Sequence, residues 1–505
     1  MRPPVCTVAQ RTPIFTTTTM PKDIYRLRRA QLIHYPRATR PLGPITLLPL
    51  EILTHVFLSC VQDEDDHSPD VPLVLGQVCS SWRKLVLKLP QLWTHLSINL
   101  TARTSLPAAS PFTSSSSSSQ QPRLSKSPEA LANLANLWFE RAKNQLLSVT
   151  INLTAMNATA VQDVSSSLVR PILSHAKSIQ HLSIHASSHT QLAHLFSRSD
   201  VEFTNLESLS LSLQHPASSS SSSSPITTFT NAPRLTQVFF DLNGSPPSTS
   251  LIHLPWAQLE QFSMSGASLL PADECRLLLS TCTNLRKASV WIDDDYTQSD
   301  EKTPTTLLPH LTHLSLSFYG RHEKTINSLL TSFDLPHLRH LHFFSGFITL
   351  PFIPPVTSRH LETVSLSGVD VSAAQLENLA LVASSLCSLA LDLRYCSGEI
   401  PAIASVLATD SSSPLVFPYL SKLSIWTRHI SPNSASYAQL IRSRSRNPNH
   451  TPFCLDVYLA RQRHVGSSQF DNILSLFDVC DKATGVVLRI MDVRPDEGIS
   501  ETSFF

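Results

Sequence analysis

The stretch LTHLSLSF, Leu311 to Phe318, contains the pattern that decides the fold. Leucine or phenylalanine stands at positions 311, 314, 316 and 318, and small or polar residues fill the positions between them. Successive side chains of a β-strand point to opposite faces of its sheet. The alternation therefore predicts a short strand with one buried face and one polar face.

The same pattern, L-x-x-L-x-L with other apolar residues allowed at each position, recurs along the chain. It begins at Leu146, Ile179, Leu206, Leu235, Leu259, Leu285, Leu311, Leu338, Leu361, Leu386 and Leu420. The ten intervals span 274 residues. That is about 27 residues each, within the ~20–29 residues typical of leucine-rich repeats.

We therefore expect an α/β solenoid, the leucine-rich-repeat horseshoe, over residues 129–480, followed by a C-terminal cap and tail at 481–505. Each repeat should supply one strand and return through a helix or an irregular segment. Residues 373–385, AAQLENLALVASS, and 272–282, ADECRLLLSTC, have the spacing of such return helices. Unrelated strands of an ordinary β domain are the alternative, which the near-constant period disfavours.

The polar side of these strands is the predicted concave face, and each strand places one residue at its centre. In chain order these are Thr150, Ser183, Ser210, Phe239, Ser263, Ser289, Ser315, His342, Ser365, Ala390 and Ser424. The serines predict a shallow polar trough. The large residues that should project from it, and that are candidates for binding a target protein, are Phe239, Trp291, Phe344 and Trp426. Coverage of these aromatics by neighbouring loops is an equally open interpretation.

Two apolar segments precede the repeats. In LLPLEILTHVFLSC, residues 47–60, the apolar residues of a helix would cover an arc of roughly 240°, where one core needs little more than ~100°. Such a helix either lies inside its own domain or presents a second face to another protein. After the acidic loop Gln62–Asp70, the spacing predicts one helix over 71–93, with a buried stripe of Leu75, Val78, Cys79, Trp82, Leu85, Val86 and Leu89.

These segments resemble the F-box family, in particular the F-box proteins of basidiomycete fungi. The matching residues are LPLEILTHVFLSC (48–60) and LVLGQVCSSWRKLVLKLPQLWTHLSI (73–98), and LANLWFERAKNQLLSVTINL (134–153) is similar to the helix and strand that follow the box. The resemblance implies a small all-α module at 44–100 that binds the Skp-type adaptor of a cullin-based SCF ubiquitin ligase. Carried over by motif position, the adaptor-binding candidates are Leu48, Pro49, Ile52, Leu53, Phe57, Leu58, Leu75, Val78, Cys79, Trp82 and Leu85.

Composition bears on the partners and the cellular compartment expected for this chain. With 39 Lys and Arg against 38 Asp and Glu, the net charge of +1 gives no electrostatic reason to expect nucleic-acid or membrane-surface binding. The nine cysteines form no CxxC pair, which favours a reducing compartment, the cytoplasm or the nucleus. We expect a basic tail at 1–43, which could also be a transit peptide, and a flexible Ser/Pro-rich linker at 101–128.

Three motifs invite a chemical interpretation. The histidines His181, His185, His189 and His194 could suggest zinc, but two of them flank a strand and no carboxylate lies among them. The acidic run 293–301 lacks the register of an EF-hand, and the Ser-Arg stretch 442–450 is expected to be a surface loop. Glycine-rich phosphate loops and a GxSxG elbow are missing, so we expect neither an enzyme nor a cofactor.

The sequence thus predicts a non-catalytic substrate-recognition subunit of an SCF ubiquitin ligase. Its F-box would bind the Skp-type adaptor, and through it a cullin, while its repeats bind a target protein. The competing hypothesis is a scaffold protein of the same architecture that has no role in ubiquitination.

Overall fold

The computed structural model describes sixteen stretches of the chain. They are residues 48–62, 71–99, 128–154, 170–196, 201–214, 225–242, 252–265, 268–293, 305–319, 328–349, 359–394, 400–408, 416–427, 434–445, 452–460 and 486–493. The basic tail, the Ser/Pro-rich residues 101–127, most of the acidic loop 62–70 and residues 294–301 lie outside them. The chain divides into two compact units, Met1–Cys60 and Val61–Phe505, which we describe separately.

Besides shorter helical segments at 170–174 and 328–331, these stretches contain nine helices of seven or more residues. They are α1 (Leu50–Gln62), α2 (Val71–Val78), α3 (Ser80–Lys88), α4 (Pro128–Ala142), α5 (His189–Leu195), α6 (Ala272–Thr281), α7 (Ala373–Val382), α8 (Ile400–Leu407) and α9 (Ser434–Ser445). Short 3-10 turns lie at Pro90–Trp93, Ala176–Ser178 and Trp256–Gln258. Within the described residues no helix combines the length and apolarity that crossing a bilayer requires.

The second unit is built around one large parallel sheet. Its strands are β1 (His95–Asn99), β2 (Leu147–Asn152), β3 (Ile179–Ala186), β4 (Ser208–Leu213), β5 (Gln237–Leu242), β6 (Gln261–Met264), β7 (Leu270–Pro271), β8 (Lys287–Asp293), β10 (His313–Tyr319), β12 (His340–Thr349), β13 (Thr363–Asp370), β14 (Ser388–Asp392), β15 (Lys422–Thr427), β16 (Phe453–Ala460) and β17 (Val486–Val493). Neighbours in the sheet follow chain order, with β7 beside β8. Two further strands, β9 (Thr306–Leu307) and β11 (Phe333–Asp334), pair separately.

The predicted repeat register is confirmed strand by strand. Each of the eleven patterns forms a strand of the sheet, and pairing aligns their central residues in one continuous row from Thr150 to Ser424. Most leucines of the pattern are buried beneath it, as Leu314 and Leu316 are in β10, whereas Leu146 is 40% exposed and Leu366 is half-buried. The predicted return helices also form, as α6 and α7. A leucine-rich-repeat-type sheet is therefore the fold of this unit.

The sheet extends beyond the repeat bounds predicted from the sequence. At its start β1 pairs with β2, inside the region 44–100 that the resemblance assigns to the helical module. Buried Trp93 takes the place of the first leucine in WTHLSI, which is why the leucine pattern missed this strand. At the other end β17, in the predicted cap region 481–505, pairs with β16.

The single helix predicted over 71–93 is wrong. Residues 71–93 instead form α2, α3 and a 3-10 turn. The break lies at Cys79, whose backbone is extended at φ −157° and ψ 171° and which caps α3. The Cys79 thiol accepts a hydrogen bond from the Trp82 amide at 3.5 Å, and Arg83 Nε donates to the Gly76 carbonyl at 2.8 Å at the end of α2. The predicted stripe is broken accordingly: Leu85 and Val86 are buried, whereas Val78 is 57% exposed.

Two tryptophans connect the first strand with the helix that follows it. Trp93 donates from Nε1 to the Val86 carbonyl at 2.9 Å, and Trp138 of α4 donates from Nε1 to the His95 carbonyl at 3.0 Å. Their rings meet edge to face with centroids 4.7 Å apart, and the Arg141 guanidinium lies 4.3 Å from the Trp93 ring centre. These contacts join α3, β1 and α4 into one packed element.

The Ser-Arg stretch 442–450 is not simply the surface loop predicted from its composition. Residues 442–445 form the last turn of α9, and the Arg444 side chain is buried. Its guanidinium donates to the Phe417 carbonyl at 2.8 Å and to the Leu407 carbonyl at 3.2 Å. Burial lowers the pKa of Arg444 to about 10, which still leaves it charged at neutral pH. Residues 446–450 lie outside the described residues.

Candidate binding surface of the repeat sheet

The candidate site is the side of the sheet that carries the row from Thr150 to Ser424, and we call this side the polar face. Strand alternation gives it two further rows, two residues before and two residues after the central one. The central row is longer than predicted, since pairing adds Ser97 of β1, Asp456 of β16 and Arg489 of β17 to its ends.

Two of the predicted aromatics come together on the polar face. Trp291 of β8 and Phe344 of β12 lie on either side of Ser317 in β10, with ring centroids 5.7 Å apart. Both side chains are half-buried, and the Trp291 indole N–H has no hydrogen-bond partner among the described residues. Ser317 between them is fully buried, so the two rings cover it and together form one aromatic surface on the polar face. Buried indole N–H groups ordinarily have an acceptor. This aromatic pair is a feature to which another molecule can bind.

A serine and a histidine lie beside this pair in the central row. The Ser315 hydroxyl and His342 Nδ1 are 3.0 Å apart, and both side chains are almost completely buried. Burial lowers the pKa of His342 to about 4, so its ring is neutral at ordinary pH. Because solvent does not reach these two groups, their hydrogen bond fits a structural role better than nucleophilic chemistry.

Trp426 lies elsewhere on the polar face, in contact with a residue that the sequence had not indicated. Its ring stacks on Tyr458 of β16, with centroids 4.1 Å apart and planes 3° from parallel. In the same row the buried carboxylate of Asp392 is bound by Arg394, whose Nε and Nη2 lie 2.9 Å and 2.7 Å from its two oxygens. Ser367 donates a further bond to Asp392 at 3.0 Å. Tyr458 was missed because Pro452 stands where the leucine pattern of its repeat would begin.

Phe239 stands apart from the other predicted aromatics. It is 40% exposed in the central row, between Ser210 and Ser263. Nearby, the Asp241 carboxylate accepts hydrogen bonds from Ser212 and Ser265. The four predicted target-binding residues therefore occupy three places on the polar face and form no single pocket.

The structure separates the adaptor-binding candidates by exposure. Exposed residues are Leu48, Pro49 and Ile52, at the start of α1, and Val78 at the end of α2. Leu53, Phe57 and Leu85 are buried, and Leu58, Leu75, Cys79 and Trp82 are intermediate. Four exposed apolar residues were not among the candidates: Leu50, Val56, Val74 and Leu87. Helical spacing identifies apolar faces but cannot say which of them a folded neighbour covers.

The histidines of residues 181–194 do not form a metal centre in the described structure. His181 and His185 lie on β3, where the His185 ring is 3.2 Å from the Ser183 hydroxyl, and His189 begins α5. Across the described residues no three His, Cys, Asp or Glu side chains are arranged to hold a metal ion. Of the acidic run 293–301, only Asp293 is described.

Comparisons with known proteins leave the family open. No family model matches the chain, and no curated protein matches it. Among solved structures, it is similar to the one titled "Crystal structure of TLR13-ssRNA13 complex", at 14% sequence identity and a TM-score of 0.34. The match covers 74% of this chain and 50% of that chain. A likeness at this level carries no argument about fold or ligand.

Proposed function

We propose that this protein is a substrate-recognition subunit of an SCF-type ubiquitin ligase in the cytoplasm or nucleus. The observation that carries the proposal is the apolar exposure of its N-terminal helices. Ile52 is 50% exposed and Val78 is 57% exposed, at positions where the F-box resemblance implies adaptor contacts. On α1, Ile52 and Val56 are one helical turn apart and both exposed, so they form an apolar strip that a bound partner would remove from water.

The buried candidates also support this proposal. Leu53 and Phe57 on α1 and Leu85 on α3 serve the protein's own packing, which leaves the exposed residues of each helix for a partner. Burial of one Ile or Val side chain stabilises a complex by about 1.5–3 kcal/mol. These residues would contribute to an adaptor interface, and the cost of association would have to be offset by further contacts.

The repeat sheet would hold the target protein. Its polar face offers the Trp291–Phe344 pair and the Trp426–Tyr458 stack, set among small serines. Aromatic side chains are enriched at protein interfaces, where a few large residues supply most of the binding energy. Catalysis would belong to the partner subunits.

Co-purification with the Skp-type adaptor tests the proposal. We expect Ile52→Asp and Val78→Asp, examined separately, each to abolish adaptor binding, because a carboxylate at the interface would lose its hydration. Both positions are exposed, so the fold should persist. Leu381→Asp on α7, where Leu381 is 84% exposed, is the matched control and should bind normally. Absence of adaptor binding by the unaltered chain, or binding unchanged by both variants, would refute the proposal.

A scaffold whose N-terminal helices bind a different partner, with no part in ubiquitination, is the second candidate, and the same exposed helices favour it. Proximity labelling with and without proteasome inhibition separates the two. A receptor should label proteins that accumulate on inhibition, and the accumulation should disappear in the Ile52→Asp variant. A scaffold should label the same proteins at unchanged levels under all these conditions.

A further inference from the structure

A basic cleft lies at the N-terminal ends of strands β8, β10, β12 and β13. It encloses about 560 Å³ and is lined by Arg286, Arg339, His310, His337, His360 and Thr312, together with a proline. Among these lining residues none is acidic. Clefts of ~300–1,000 Å³ are the size that binds small molecules.

The arginines occupy a regular position in the repeat, the residue immediately before each strand. Backbone bonds link this position from one repeat to the next: Arg286 N donates to the Glu260 carbonyl at 2.8 Å, and Thr312 N to the Arg286 carbonyl at 2.9 Å. Arg339 N then donates to the Thr312 carbonyl at 2.9 Å, and Glu362 N to the Arg339 carbonyl at 2.8 Å. Five adjacent repeats thus present the order Glu, Arg, Thr, Arg, Glu.

In this order the two arginines are separated by one short side chain, that of Thr312. Adjacent strands are about 4.8 Å apart, so the two arginines stand roughly 10 Å apart at the backbone, with the short Thr312 side chain between them. Each arginine also contacts a carboxylate on its outer side: Glu260 lies 3.5 Å from Arg286 Nε, and Glu362 lies 3.4 Å from Arg339 Nη1. Each guanidinium has five N–H donors, so such a contact leaves donors for a ligand between the two.

The histidines occupy a second regular position, three residues before the start of each strand. In other repeats the side chain at this position binds a carbonyl of the preceding repeat: Asn205 binds Lys177 O at 2.6 Å, Asn284 binds Ala257 O at 2.9 Å, and Ser385 binds Arg359 O at 2.9 Å. In three consecutive repeats the position changes to His310, His337 and His360. All three line the cleft, and the rings of His337 and His360 are stacked with centroids 6.2 Å apart.

We propose that this cleft binds the phosphate group of a small phosphorylated molecule. Arg286 and Arg339 line the same cleft on either side of Thr312, and guanidinium N–H groups match the oxygens of a phosphate. The imidazole N–H groups of the cleft add further donors. This ligand site is separate from the proposed adaptor-binding helices and does not depend on that function.

Isothermal titration calorimetry of the full chain with inorganic pyrophosphate tests the proposal. We expect one saturable site per chain and a loss of affinity of at least tenfold in the double variant Arg286→Gln/Arg339→Gln, because hydrogen bonds to a charged group are among the strong ones. Arg339→Lys keeps the charge but not the planar fork, so it should bind with intermediate affinity. The matched control is Lys177→Gln, which removes an exposed cation paired with Glu202 at 3.2 Å outside the cleft and should bind as the native chain does.

Three results would overturn the proposal. They are absence of saturable binding, equal loss in the Lys177→Gln control, and equally tight binding of malonate, a dianion without phosphorus. Thermal unfolding of each variant monitors the fold. Both arginine side chains are more than half exposed, so little destabilisation is expected. If the double variant fails to fold, the Arg339→Lys variant alone tests the proposal. Unchanged affinity of that variant for pyrophosphate would refute a role of Arg339 in binding.

Discussion

At the scale of single residues, Gly368 is required by the backbone of β13. Its φ is +67°, and a Cβ added there would lie 1.8 Å from the Ser345 carbonyl oxygen of β12. We expect Gly368→Ala to lower the free energy of unfolding by about 2 kcal/mol or more, since left-handed backbone alone costs an L-residue about 1–2 kcal/mol. Urea denaturation followed by tryptophan fluorescence measures this.

The control for that substitution is Gly76→Ala. Gly76 lies inside α2, and an added Cβ would meet nothing within 4 Å. Alanine favours a helix over glycine by about 1 kcal/mol, so this variant should be as stable as the native chain or more so. Equal destabilisation by the two substitutions would contradict the steric argument for Gly368.

The buried His342 should make the stability of the protein depend on pH. Burial lowers its pKa in the folded chain from 6.5 to about 4. Between these values the unfolded chain binds a proton that folded His342 does not, so the free energy of unfolding falls as the pH falls. The loss from this residue should be on the order of 3 kcal/mol between pH 7 and pH 4.

His342→Gln tests this assignment, because glutamine does not titrate. We expect the variant to lose less stability than the native chain between pH 7 and pH 4.5, measured as the shift in the urea midpoint. The partly exposed His313, whose pKa burial also lowers to about 4, titrates in both proteins and so cancels in the comparison. Parallel pH profiles for the two proteins would rule out His342 as a source of acid sensitivity.

At the scale of elements, α4 is docked on β1 by one tryptophan. Trp138 is almost fully buried, donates to the His95 carbonyl and meets the Trp93 ring. We expect Trp138→Ala to destabilise the protein by about 3–5 kcal/mol, through the lost burial and the cavity left behind. Leu137→Ala, one position earlier on the same helix at 45% exposure, should cost far less. Comparable losses in chemical denaturation would mean that α4 packs differently.

At the scale of the whole molecule, β1 belongs to the repeat sheet although it precedes the predicted linker at 101–128. A chain beginning at Ser80 retains α3, the 3-10 turn and β1, whereas a chain beginning at Thr101 exposes the edge of β2. Unpaired strand edges promote association between chains. We expect the shorter chain to unfold at lower temperature and to aggregate, as measured by thermal scanning with light scattering. Equal behaviour of both chains would place the start of the stable repeat unit after residue 100.

Much of the sheet could be predicted because its signal is local. Leu314 and Leu316 alternate with Ser315 within one strand, and this alternation repeats near every 27 residues, so strands and their register follow together. The prediction stopped where the local signal changed: Trp93 and Pro452 replaced the first leucine, and β1 and β16 were missed. Helical periodicity continued through Cys79, but the thiol at that position caps α3 and ends the run.

By itself the sequence determined the parallel, one-strand-per-repeat sheet and the serine row on its polar face. Both follow from side-chain alternation and a constant period, which are properties of neighbouring residues. Only the tertiary structure decided which apolar residues of the N-terminal helices stay exposed, that Trp426 stacks on Tyr458, and that Arg286 and Arg339 border one cleft. The last two outcomes join residues more than 25 positions apart, which only the stacking of folded repeats brings together, and the first depends on which neighbours pack on each helix.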